Sequence, residues 1–94
     1  MRFEWDPGKD ALNLAKHGVS FEVARRVFDD PRHLSIQDRH VFQEERWQTL
    51  GLVGGIVVLL VAHTYREEEH GEVIRIISAR KATRHERQIY EHGY

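Results

Sequence analysis

The sequence predicts an α+β domain over residues 1–94, built on a mainly antiparallel sheet of about four strands with two N-terminal helices and one C-terminal helix. Three observations carry that prediction. Helix start signals stand at Asp6-Pro7, Ser20 and Thr83; apolar stretches of strand type fill the second half of the chain; and turns too short for a crossover separate those stretches, which favours antiparallel pairing.

Residues 2–5 alternate polar and apolar, with Phe3 and Trp5 on one side, and read as a short strand. Asp6 is placed to cap the next helix, Pro7 suits its first turn, and Gly18 after His17 supplies a left-handed end. Ala11, Leu12, Leu14 and Ala15 are the expected buried stripe of that helix. Ser20 caps the second helix, whose buried side reads Phe21, Ala24, Val27 and Phe28 before Asp29-Asp30-Pro31 ends it.

Strands are expected over residues 33–36, 46–52, 56–65 and 73–80, with a polar connection over 37–45 and a turn at Val53-Gly54-Gly55. Residues 56–65 are nearly all apolar, as befits a central strand covered on both faces. Thr83-Arg84-His85-Glu86 is a capping box opening a helix to about residue 92.

Composition excludes several classes. There is no Cys, so neither a disulfide framework nor a thiolate zinc site is available, and the longest apolar run is far below the roughly 20 residues of a membrane span. No export segment is visible at the N-terminus, which makes the cytoplasm the expected location. A net charge of -1 argues against a wholly adhesive basic surface, but Arg75, Arg80, Lys81, Arg84 and Arg87 concentrate positive charge near the C-terminus. No phosphate loop, nucleophile elbow or helical metal motif occurs, and no metal or cofactor is expected.

The chemistry-bearing residues remain. Lys16-His17 ends the first helix, where cations favour the helix dipole and where His17 is also suited to proton transfer. Strand alternation puts Ala62, Thr64 and Arg66 on one face, and Ile74, Ile76, Ser78 and Arg80 on one face of the next strand. Arg80 then shares a face with core residues and needs either an acid such as Glu45 or Asp38 or a bound anion. Arg46, Arg66 and Arg80 gathered at one end of the sheet would grip a phosphodiester. Such a cluster suits RNA cleavage by the 2′-hydroxyl, which needs positioning, proton transfer by groups such as His17 or Glu45, and stabilisation of phosphorane charge. Among the aromatic residues Tyr65, beside Arg66, is the exception that offers a base-stacking platform.

These residues resemble the BrnT family. The likeness runs through Phe3-x-Trp5-Asp6, Lys9, Asn13, Lys16-His17-Gly18-Val19-Ser20-Phe21-Glu22-x-Ala24 and Val27-Phe28-x-Asp30-Pro31. It continues through Asp38, Glu45-Arg46-Trp47, Gly51, His63-Thr64-x-Arg66, Ile74 to Ala82, Glu86-Arg87 and Tyr90. The resemblance implies a RelE-like fold and a ribonuclease toxin of a type II toxin-antitoxin system that inhibits translation. It also implies a BrnA-like ribbon-helix-helix antitoxin, joined in a heterotetramer that reaches operator DNA through the antitoxin. The expected catalytic set is His17, Glu45, Arg46, Arg66 and Arg80; Lys16, Tyr65, Arg75, Lys81 and Arg84 are the expected RNA contacts. The competing expectation is a non-catalytic module that dimerises a DNA-binding antitoxin.

Overall fold

The computed structural model describes residues 1–41 and 44–93, without the side chains of residues 39–41 and 44. Strand β1 (Arg2–Glu4) leads into α1 (Pro7–His17) and α2 (Phe21–Ala24), which tightens into a 3-10 turn over Arg25–Asp29. Strands β2 (Leu34–Val41), β3 (Glu44–Val53), β4 (Val57–Glu68) and β5 (Gly71–Lys81) follow, then α3 (Arg84–His92).

The local start and stop signals act as the residues require. Asp6 accepts from the Gly8 amide, Ser20 from the Val23 amide, and Thr83 and Glu86 complete the reciprocal capping box. Gly18 ends α1 at φ 72°, and Gly54 and Gly55, at φ 64° and 69°, turn β3 into β4 with the twist that primed hairpin turns need. Ile56 belongs to that turn and is 87% exposed, so the covered strand begins at Val57.

The sheet differs from the expectation in number and direction. It has five strands in the order β1-β5-β4-β3-β2, and it is mixed, because β1 pairs parallel with β5, Phe3 opposite Ile74. The path through α1 and α2 separates β1 from β2, and β1 joins the far edge of the sheet beside β5, a pairing that the long intervening chain allows to be parallel. The expected connection over 37–45 is also largely strand: β2 runs to Val41 and β3 starts at Glu44, while residues 42–43 lie outside the described residues.

One face of the sheet packs against α1, α2 and the 3-10 turn through Val19, Phe21, Ala24, Val27, Leu59, Val61, Ile74, Ile76 and Ala79. On the other face α3 covers only one end, through Leu50, Leu60, Ala82 and Tyr90. Asp30 ties the layers together, accepting from the Leu52 amide and the Tyr90 hydroxyl.

Helix α1 inverts the expected stripe. Ala11, Leu12, Leu14 and Ala15 are exposed, and the side facing the protein carries Asp10, Asn13 and His17. The polar side is buried because it clamps backbone: Asn13 donates to the carbonyls of Val19 and Ala79 and accepts from the Ala79 amide, while Asp10 accepts from the Phe21 amide.

Candidate functional site

Register decides which arginines meet. On β3, β4 and β5 the rung Arg46, Thr64, Arg75 is directly paired, so these side chains share a face, and Glu4 on β1 stands opposite Arg75. Arg66 follows two residues after Thr64 on the same side. The face is the one that α3 leaves open. Arg46 and Arg75 are two inter-strand steps apart, about 10 Å between backbones, a gap that long guanidinium side chains can close around one anion.

Arg80 stands elsewhere. A bulge at Ile77, where Ala62 pairs with Ser78 but His63 pairs with Ile76, reverses the alternation of β5. Arg80 therefore faces away from Ile74 and Ile76 and pairs with Leu60, on the same face as Arg46 and Arg66. Leu60 lies six residues before Arg66 along β4, roughly 20 Å, so Arg66 and Arg80 occupy opposite ends of the sheet. The expected grouping of Arg46, Arg66 and Arg80 around one phosphate does not form. Antiparallel pairing separates the end of β4 from the end of β5.

The partners confirm this division. Arg80 makes a two-pronged bond to Glu86, at 2.7 and 3.0 Å, and so takes the acid of the α3 capping box in place of Glu45 or Asp38. That guanidinium, with the Thr83 amide, holds the Glu86 carboxyl down to about 2 despite partial burial. Glu4 accepts from both Arg66 and Arg75 at 2.8 Å, and these two guanidinium groups lower it to about 2. Arg66 also binds Glu68.

Arg46 differs from the other three. Its Nε is shielded from water and has no acceptor among the described residues. Leaving a buried charged donor unmatched costs more than the roughly 1–3 kcal/mol of a neutral one, so the position favours an incoming anion.

The remaining expected site residues scatter. His17 and Lys16 end α1 in the helical layer, across the sheet from Arg46. Glu45 precedes Arg46 in β3 and alternates to the helical side, where it is exposed. Neither expected proton-transfer group stands among the arginines. Lys81 pairs with Leu59 and also faces the helical side, and Arg84 is exposed at the start of α3. Tyr65 points away from Arg66, into a second feature.

That feature is a cavity of about 370 Å³ on the helical side, beyond the end of the helices. Phe28, Trp47, His63 and Tyr65 line it, with His33 and Glu72. Phe28 packs edge-on to His63 and His33, at centroid distances of 5.1 and 5.8 Å. His63 is 3% exposed. Its Nδ1 reaches the Thr64 carbonyl, which can only accept, so Nδ1 carries the proton and Nε2 accepts the Thr49 hydroxyl, itself hydrogen-bonded to Ser35. Burial pushes the His63 pKa below its usual value and keeps the ring neutral. Trp47 has a shielded indole N–H without an acceptor among the described residues.

Sequence reasoning missed Glu4 and the alliance of Phe28, Trp47 and His33. Alternation did set Glu4 opposite to Phe3 and Trp5, but only the parallel pairing with β5 brings it to Arg66 and Arg75. Among the described residues no three His, Asp or Glu side chains converge as a metal ion would need, and no helix is long and apolar enough to cross a membrane.

Comparison with known proteins gives the context. The crystal structure of the Brucella abortus ribonuclease toxin, BrnT, is similar to this fold, with a TM-score of 0.68 at 22% identity, over 89% of this chain and 99% of that one. No curated protein matches the chain. The model of the family described as ribonuclease toxin, BrnT, of type II toxin-antitoxin systems matches residues 5–86. With that match over most of its length, the chain belongs to the BrnT family of ribonuclease toxins of type II toxin-antitoxin systems.

Proposed function

We propose that the protein is an endoribonuclease that cleaves RNA without a metal, inhibits translation in the cytoplasm, and is neutralised by a cognate ribbon-helix-helix antitoxin of BrnA type. The observation that carries this reading is the arginine rung of the open face, where the shielded Nε of Arg46 has no acceptor among the described residues and stands beside Thr64, Arg75 and Arg66. Family membership supports RNA as the substrate class and an antitoxin as the partner.

In the proposed reaction the scissile phosphate enters between Arg46, Arg66 and Arg75 and replaces Glu4 as the acceptor of the latter two. The 2′-oxygen forms a bond to phosphorus and the bond to the 5′-oxygen breaks. Charge that grows on the phosphoryl oxygens meets preorganised guanidinium donors, a contribution of about 2.7–4 kcal/mol for a single well-placed donor. Glu4, freed from the arginines that hold it at about 2, regains basicity beside the phosphate and takes the 2′-hydroxyl proton. Water protonates the leaving oxygen. His17, Glu45 and Arg80 have no part in this scheme, because they lie across the sheet or at its far end.

The test is product chemistry in EDTA. The reading predicts fragments ending in a 2′,3′-cyclic phosphate with 5′-hydroxyl partners. Fragments with 3′-hydroxyl ends, or cleavage that EDTA abolishes, would overturn it. A second reading, a non-catalytic module that dimerises a DNA-binding antitoxin, draws on the exposed apolar side chains of Leu12, Leu14 and Val23, 72%, 51% and 40% accessible. It predicts no cleavage at all.

A further inference from the structure

We propose that the aromatic cavity on the helical side is a nucleobase site, which takes a base flanking the cleaved position. The inference rests on the ribonuclease reading for its substrate and on the cavity's own chemistry for the ligand class.

At about 370 Å³ the cavity falls in the range of small-molecule sites, roughly 300–1,000 Å³. Its walls include the rings of Phe28, Trp47 and Tyr65, surfaces on which a base of any kind can stack. Among the described residues no Lys or Arg lines it and Glu72 does, so it offers a phosphate no guanidinium or Lys ammonium and suits the uncharged part of a nucleotide. Glu72 can accept from a base N–H, and a base carbonyl or ring nitrogen supplies the acceptor that the Trp47 indole N–H lacks among the described residues.

Position favours the same ligand. Trp47 follows Arg46, Tyr65 precedes Arg66 and Ile74 precedes Arg75, so the segments that present guanidinium groups on one face present the cavity walls on the other. Ser35 of the edge strand β2 lines the cavity, and β2 is the strand next to the one that bears Arg46. An RNA chain that curls over this edge offers a phosphate to the open face and a neighbouring base to the cavity. The exposed carboxylates of Glu67, Glu68 and Glu69 make the route over the β4–β5 turn unfavourable.

The chain has two tryptophans, so a nitrogen-15 NMR spectrum of the labelled protein carries two indole signals, from Trp5 and Trp47. The probes are the monophosphates of adenosine and uridine, with ribose 5-phosphate as the control that lacks a base. The proposal predicts that the nucleotides move the Trp47 signal and leave Trp5 in place, while ribose 5-phosphate moves neither. Tyr65→Ala should weaken nucleotide binding about tenfold and Tyr65→Phe should restore it. The proposal falls if ribose 5-phosphate shifts Trp47 equally, if the Trp47 signal does not respond, or if Tyr65→Ala binds as well as the parent. Nucleotide binding that persists in Arg46→Ala, in which cleavage is expected to fail, supports the cavity as the base site. Nucleotide binding that depends on Tyr65 in a protein that never cuts RNA would uphold the cavity and sink the ribonuclease reading.

Discussion

On the helical face of the sheet Asn13, Thr49 and His63 are buried and satisfied within the protein, each bonded to backbone or to another buried side chain. On the open face Arg66, Arg75 and Arg80 are held by carboxylates that water also reaches, and the Arg46 Nε has no acceptor among the described residues. The two kinds of polar group serve different ends. A buried bond to backbone fixes geometry and is expensive to break, whereas an exposed ion pair contributes little to stability and can be exchanged for a ligand's charge. Substitutions on the two faces should therefore separate stability from activity.

The largest stability effect belongs to the helical face. A Cβ on Gly51 would lie 2.6 Å from the Val27 Cβ and 2.8 Å from its carbonyl oxygen, so the 3-10 turn could not keep its seat. Gly51→Ala should cost about 3 kcal/mol or more, a fall in Tm of at least about 12 °C in a scanning calorimeter. An unchanged melting curve would contradict the described packing. Asn13→Ala leaves two carbonyls and the Ala79 amide without their partner and should cost about 2–3 kcal/mol by urea unfolding, with cleavage per folded molecule retained.

Acid should expose the faces one after the other. Burial lowers the His63 pKa from its usual 6.5, so below that pH the unfolded chain takes up a proton that the folded ring refuses. Stability is fully present above about 6.5 and declines as the pH falls. Glu4 and Glu86, each lowered to about 2 from 4.5, add a second loss that begins as the pH drops through 4.5. Melting temperatures from pH 8 to 3 check both steps, and a flat profile between 7 and 5 would remove the first. The smallest effect is that of Arg80→Ala, which breaks a pair whose arginine is 39% exposed and should cost at most about 1 kcal/mol. Cleavage should stay near the parent rate, and a large loss would return Arg80 to the site.

Local chemistry was readable from the sequence because it needs only neighbours. Asp6, Ser20, Thr83-Glu86, Gly18 and Gly54-Gly55 each punctuate the chain where the structure does. The parallel edge strand was not readable, since its partner β5 lies some 70 residues away. The inverted side of α1 escaped for a similar reason: its polar residues are buried by backbone groups of Val19, Phe21 and Ala79 that no helical period reveals. In the site, alternation placed Arg66 with Thr64, but a single extra residue at Ile77 reversed β5, and the antiparallel register then parted Arg80 from Arg66. The cavity combines residues from the 3-10 turn and four strands, and of its aromatic members only Tyr65 stood out as a stacking surface, while Phe28 and Trp47 read singly as core.

On the proposed reading the open arginine face cuts RNA and the helical face does not. The most direct measurement is kcat/KM for RNA cleavage in EDTA by Arg46→Ala and His17→Ala, each shown to be folded by circular dichroism. Arg46→Ala should lose about 100-fold or more, as for removal of one preorganised donor, and His17→Ala should keep near-parent activity. Full activity in folded Arg46→Ala, or its collapse in folded His17→Ala, would contradict that reading.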